Sequence, residues 1–261
     1  MVQNWNTEIW VVFSFLLGAV LGSFCNAFAW RMVRGESICR GFSHCPTCGH
    51  RLYGKDLIPL WSWISQRGRC RYCGKEIALR YVLSELFLAG AFASMTIQFG
   101  WNLTAWQWDF LACILLIITL VDLEQWIIPN GLLLCAMVLY GVLQFPVAES
   151  GIAFWGQAFW RMGSTAVPLL LFVCVANRIW KTETMGGGDI KLFAVLGLYL
   201  GPAMAYVMLF LACVLGIVWQ ALSGQLQKRA ALPFGPAMAA STWITVLYGA
   251  SLLQWYSQCM I

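Results

Sequence analysis

Charged residues are scarce in this chain: 10% of its 261 residues are Asp, Glu, Lys or Arg, while 61% are hydrophobic. A soluble domain is about a quarter charged and about half apolar, so a soluble globule of this size is excluded. Disorder is excluded as well, because it needs low hydrophobicity and high net charge. No repeat of roughly 20–50 residues and no low-complexity tract is present. The first apolar run has no basic leader and ends in Arg31 rather than at a small-residue cleavage site, which predicts a retained helix and not a cleaved signal peptide. Nor is there a Gly-rich loop of the kind that cradles soluble cofactors. What is left is a polytopic membrane protein.

Apolar runs of about the 20 residues that a bilayer crossing needs occur at 9–30, 81–99, 106–122, 127–147, 163–180, 189–201, 202–222 and 235–256. The sixth run is short and meets the seventh at Gly201-Pro202, a turn signal. The pattern predicts an all-α fold of about eight transmembrane helices with a small domain inserted between the first two. The formal charge of +5 is unevenly spread: residues 31–80 carry ten Lys/Arg against three Asp/Glu. Basic residues stay on the cytoplasmic side, so 31–80 is placed there. Eight crossings then put 123–126, 181–188 and 223–234 on the same side and leave Arg161 outside. Trp5, Trp10, Trp101, Trp106, Trp108, Trp155, Trp160 and Trp255 fall where an interfacial belt would form.

Of eleven cysteines, Cys25, Cys113, Cys135, Cys174, Cys213 and Cys259 sit singly in apolar runs and read as packing residues. Cys45-Pro-Thr-Cys48 and Cys70-Arg-Tyr-Cys73, 21 residues apart and each followed by Gly, are a zinc pattern. Two Cys-x-x-Cys knuckles close a four-thiolate tetrahedral site with no open position, which makes the metal structural. Cytoplasmic thiols stay reduced, which favours metal over disulfides. Cys39 and His44 are near enough to be alternative ligands. The basic charge of this loop reads as the cytoplasmic-side signal, not as a nucleic-acid site.

Ionisable groups in transmembrane segments are costly and therefore functional candidates. Asp122 ends the third run in LVDLEQWIIPN, and Asp189 opens the sixth in MGGGDIKLF. The topology brings both to the cytoplasmic edge. Two neighbouring carboxylates share one proton and supply a general acid and a general base, as in aspartyl proteases. Gly186, Gly187 and Gly188 allow close approach of an extended substrate strand. Glu124, two residues on, points to another helix face. Glu85 lies one turn inside the second run, where a pair with Arg80 or Arg31 would satisfy it. The rival readings are helix-end carboxylates without catalysis, a proton-coupled transporter, and a non-enzymatic zinc-ribbon scaffold.

MGGGDIKL resembles the GxGD signature of intramembrane aspartyl proteases. Together with D-x5-IPN, the double CxxC and LPFGPAMA, it resembles the bifunctional type IV prepilin peptidases, along nearly the whole chain: GSFCN, CPTC, IPLWSWISQRGRCRYC, IALRYVLSEL, the two aspartate motifs, then Pro233 to Pro236. Met32 and Val82 stand where that family often has Pro. The resemblance implies an enzyme of the cytoplasmic (inner) membrane that cleaves the leader of type IV prepilin, pseudopilin or competence-pilin precursors on the cytoplasmic face. It then N-methylates the new amino terminus from S-adenosylmethionine. Asp122 and Asp189 would be the catalytic pair; Cys45, Cys48, Cys70 and Cys73 would hold zinc; Gly22, Ser23, Asn26, Arg31 and Glu85 would serve the methyl donor. The implied organisation is a first transmembrane helix at 1–30, a cytoplasmic zinc-binding domain at 31–80 and a transmembrane peptidase domain at 81–261. A peptidase without methyl transfer is the alternative within the family. The partners implied are precursor pilins and membrane lipid, with no nucleic acid.

Overall fold

The computed structural model describes residues 2–37, 41–148, 150–222 and 233–259. Cys39, the Trp5 side chain and nearly all of the 223–234 loop lie outside the described set. Nine α-helices form among the described residues: α1 (Val2–Arg34), α2 (Trp61–Ser65), α3 (Leu79–Phe99), α4 (Leu103–Gln125), α5 (Asn130–Gln144), α6 (Gly151–Trp180), α7 (Gly187–Leu200), α8 (Pro202–Leu222) and α9 (Gly235–Cys259). Two short 3-10 turns, Gly54–Asp56 and Phe145–Val147, and two isolated β-bridges accompany them among those residues. Six helices, α1, α3, α4, α6, α8 and α9, are long and apolar enough to cross a bilayer. The chain is thus a multi-pass membrane protein. Helix is the expected outcome, because in lipid each backbone polar group must be satisfied within its own segment. The other two apolar runs become the shorter α5 and α7, of 15 and 14 residues. The helix breaks at Gly201, whose φ is +78°, and restarts at Pro202, as the sequence predicts.

The chain divides into two compact units, Met1–Glu124 and Gln125–Ile261. In the first, α1 and α3 pack at a glycine seam. A Cβ on Gly18 would lie 2.8 Å from the Ala89 Cα, and one on Gly22 would lie 2.8 Å from the Glu85 Cα. This is the small-xxx-small contact of membrane helices, which lack a hydrophobic drive to associate and depend on close packing and interhelical hydrogen bonds. Two such bonds join the pair: Ser14 to Thr96 at 2.6 Å, and Asn26 Nδ2 to the Ser84 hydroxyl. Leu88, Phe92 and Met95 fill the seam and are fully buried. Trp10 stacks on Trp101, and Trp106 meets Trp101 edge-on, both at 4.6 Å between centroids. These are three of the residues that the sequence assigns to an aromatic belt. At the other end Glu124, in the last turn of α4, pairs with Arg34 at 3.6 Å and with Arg80.

In the second unit α6 and α7 pack closely at Gly197, where a Cβ would lie 2.8 Å from the Thr165 Cβ. Tyr199 donates to the Ala136 carbonyl at 2.7 Å and ties α7 to α5. Arg161, the single basic residue expected on the outer side, donates to the Leu198 carbonyl and the Tyr140 hydroxyl, each at 3.3 Å. Many large apolar side chains on α6, α8 and α9 are exposed, among them Phe172, Phe210 and Trp255. An apolar surface of that extent suits contact with lipid.

Candidate active site

Between α1 and α3 lies a small cysteine ribbon built twice from the same local device. Cys45 N–H bonds to His50 O at 2.9 Å and Gly49 N–H to Cys45 O at 2.9 Å; Cys70 N–H bonds to Lys75 O at 2.8 Å and Gly74 N–H to Cys70 O at 2.9 Å. Gly49 and Gly74 have φ of +69° and +70°, left-handed values that a side chain disfavours, which explains the Gly after each CxxC. Bridges His44–Arg51 and Arg69–Glu76 close the two knuckles. The Sγ atoms of Cys45, Cys48, Cys70 and Cys73 all lie within 4.8 Å of one another, with Cys45 and Cys73 at 3.9 Å. Four thiolates at about 2.3 Å from a zinc ion stand about 3.8 Å apart, so this donor set fits a tetrahedral ion. These four are free cysteines. His44 is outside the cluster: its ring meets Trp30 edge-on at 5.3 Å. Burial pushes the Cys45 thiol up, but the backbone amides of Cys48 and Thr47 outweigh it and bring its pKa down to about 7. For Cys73 the Lys75 amide pulls down, yet burial and the neighbouring thiols prevail and raise it to about 11.

The ribbon is held by carboxylates whose partners are far away in sequence. The Asp56 side chain, 4% exposed, takes Arg71 at 3.3 Å, the Tyr72 hydroxyl at 3.1 Å and the Tyr53 amide at 3.2 Å. Glu85 does not pair with Arg80, one of the two partners that the sequence offers for it. Arg80 is held by Glu124, and Glu85 Oε2 accepts from the Leu60 amide at 2.8 Å. Leu60 has φ +61°, a costly value for a branched side chain, and this bond anchors the strained turn to α3. Arg31 donates to the Gly41 carbonyl at 3.4 Å.

A cavity of about 680 Å³ opens between the ribbon and the ends of α1, α3 and α4, and its lining includes Ser23, Trp30, Arg31, Trp63, Tyr81, Glu85 and Glu124. Of the five residues expected to serve a methyl donor, Ser23, Arg31 and Glu85 line it. Gly22 and Asn26 are buried in the α1–α3 seam. Gly22 packs against the Glu85 backbone, and Asn26 donates to the Ser84 hydroxyl.

Asp122 lies in the last turn of α4 and is 5% exposed. Asp189 is the third residue of α7, half-buried in its first turn. In the second unit the chain after α4 reaches the start of α7. A Cβ on Gly188 would lie 3.2 Å from the Ile128 Cβ, and Lys191 Nζ donates to Asn130 Oδ1 at 3.1 Å. The IIPN and GGGD motifs are therefore neighbours. A Cβ on Gly186 would lie 3.1 Å from Asp189 Oδ2, so the glycine leaves the carboxylate room. One carboxylate that sequence reading passed over is Asp109 in α4, 3% exposed and with Oδ1 lacking a hydrogen-bond partner among the described residues.

Helices of this length and apolarity, a four-thiol ribbon and helix-end aspartates define a multi-pass membrane protein with a four-cysteine insert. Comparison with known proteins narrows the class. Residues 16–99 match the family model of the bacterial peptidase A24 N-terminal domain, and residues 110–221 match the type IV leader peptidase family. The prepilin leader peptidase/N-methyltransferase of Bacillus subtilis (strain 168) is 34% identical over 245 residues, 93% of this chain and 96% of that one. The protein of that name from Dichelobacter nodosus is 30% identical over 285 aligned positions, 95% of each chain. The Aeromonas hydrophila protein is 33% identical, over 82% of this chain and 74% of its own. No solved structure matches the chain. The chain belongs to the prepilin leader peptidase/N-methyltransferase family.

Proposed function

We propose that the chain cleaves the leader of type IV prepilin, pseudopilin or competence-pilin precursors and then N-methylates the new amino terminus from S-adenosylmethionine. The observation that carries this reading is the match along both halves of the chain to relatives named for both activities.

Asp122 and Asp189 are the cleaving pair. Ile128 lies against Gly188, the neighbour of Asp189, and stands only six positions after Asp122; this short connection supports the pairing. With one carboxyl ionised and the other protonated, the first takes a proton from water as its oxygen attacks the scissile carbonyl carbon, and the second donates to the carbonyl oxygen. Collapse of the tetrahedral adduct breaks the C–N bond, and the leaving amine takes a proton from the pair. The open backbone at Gly186–Gly188 lets an extended substrate strand lie against Asp189.

Cys45, Cys48, Cys70 and Cys73 would hold one zinc ion, which would cross-link the two knuckles and fold the ribbon. The six long helices together with the shorter α5 and α7 cross the cytoplasmic membrane eight times, with the ribbon and both aspartates on the cytoplasmic side, in keeping with the basic charge of residues 31–80.

The test incubates purified protein with a prepilin and methyl-labelled S-adenosylmethionine. Cleavage together with label on the mature amino terminus is expected. Cleavage without label would reduce the chain to a peptidase, and loss of both would end the proposal.

A further inference from the structure

The segment leading to the second knuckle has two unlike sides. Ser62 N–H bonds to the Ile58 carbonyl at 2.9 Å and Ile64 N–H to the Leu60 carbonyl at 3.1 Å, so a helical turn begins at Ile58 and runs into α2. Ser62, Trp63 and Gln66 line the cavity of the first unit, and the Trp63 indole N–H donates to the Ile77 carbonyl at 3.2 Å. Ile58, Trp61 and Ile64 do not line it and are 48–64% exposed. Their spacing of three residues puts them on one side of the turn. Lys55 and Arg67 flank this side; both are exposed, and neither joins an ion pair among the described residues. An apolar face that carries Trp and is bordered by basic residues has the composition of an interfacial anchor.

The depth of this turn is set by α3. The Leu60 amide donates to Glu85 Oε2 at 2.8 Å, and Glu85 stands five residues, about 7.5 Å, further along α3 than Arg80. Arg80 and Arg34 meet Glu124 at the polar end of these helices. The bond therefore draws the turn inward of that layer of ion pairs. Leu83 and Leu86 lie within two residues of Glu85, about 3 Å along the axis, and both are exposed. Because α3 is long and apolar enough to cross a bilayer, those leucines face acyl chains, and α2 meets α3 at their depth. We propose that Ile58, Trp61 and Ile64 seat the ribbon in the bilayer, at the boundary of headgroups and acyl chains on the Arg34 side, with Lys55 and Arg67 on the phosphates of anionic phospholipids. A lipid surface fits better than a protein segment, because the turn is held at the level of lipid-facing residues and both flanking charges are positive. Seating one side in lipid holds the other, with Ser62, Trp63 and Gln66, against the cavity. The anchor goes beyond the proposed activity and does not depend on it.

The test labels the full chain with fluorotryptophan and places it in nanodiscs of phosphatidylcholine and phosphatidylglycerol. The fluorine resonance of Trp61 is the one missing from Trp61→Phe, or from Trp61→Tyr should the first variant fold poorly. A lipid with a nitroxide at the top of its acyl chain should broaden that resonance at least about threefold more than a water-soluble gadolinium chelate does. The lipid effect should grow about twofold when phosphatidylglycerol replaces half of the phosphatidylcholine, and Lys55→Gln combined with Arg67→Gln should lose this gain. Stronger broadening by the chelate would put the face in water and overturn the anchor. A resonance that neither reagent reaches, or that responds to an added prepilin and not to the lipid nitroxide, would assign the face to a protein partner and overturn it as well. A gain with phosphatidylglycerol that survives the double variant would overturn the phosphate contacts.

Discussion

Asp122 closes one helix and Asp189 opens another, so the two carboxylates meet different backbone fields. Asp189, in the first turn of α7, faces the positive end of its helix dipole, whereas Asp122, in the last turn of α4, faces a negative one. Asp122→Asn and Asp189→Asn should each lower the cleavage rate at least about a thousandfold without altering the thermal midpoint in detergent. A gel-shift assay of prepilin alongside a melting curve checks this. Glu124 is a different kind of residue: it bridges Arg34 and Arg80 at part-exposed positions. Glu124→Gln should cost about 1 kcal/mol of stability, as expected for screened ion pairs, and chemical denaturation of the variant measures it.

At the scale of elements, the α1–α3 seam and the ribbon are the parts that local sequence disguises. Gly22 reads as a motif residue, and its neighbour across the seam is the Glu85 backbone. Gly22→Val should cost about 1–3 kcal/mol by overpacking, in contrast to Gly90→Val, where nothing lies within 4 Å. Paired denaturation curves separate the two. For the ribbon, metal uptake must displace thiol protons. Cys45 ionises near 7 in the fold, while Cys73 holds its proton to about 11. Zinc affinity should therefore fall as pH drops, by about tenfold per unit for each ligand still protonated, and competition with a colorimetric chelator at pH 6 and pH 8 reads the slope. Because the proposed peptidase aspartates lie on α4 and α7, outside the ribbon, Cys48→Ser should reduce methyl transfer more than cleavage at matched protein level. Equal loss of both activities would show that the ribbon also supports the peptidase fold.

For the molecule as a whole, the topology makes a spatial prediction. In inside-out vesicles, Lys55→Cys and Glu183→Cys should label with an impermeant maleimide, and Leu103→Cys should label only from the opposite face. Labelling of all three from one side would rule out eight crossings. Much of this layout is readable from the chain alone. The apolar runs, the break at Gly201-Pro202, the two knuckles and the two aspartate motifs are all local patterns. In lipid such patterns decide the structure, because a helix must satisfy its own backbone within its own segment, and because a CxxC-Gly turn closes through contacts five residues or fewer apart. Tertiary structure alone decided which side chains meet. Glu85 reaches Leu60 rather than Arg80, Glu124 gathers Arg34 and Arg80, Gly22 and Asn26 serve a helix seam, and Asp56 organises the ribbon. Each pairing depends on the rotation and depth of helices joined through the folded ribbon. A one-residue change of helix phase turns a side chain by about 100°, and hydropathy carries no record of that angle.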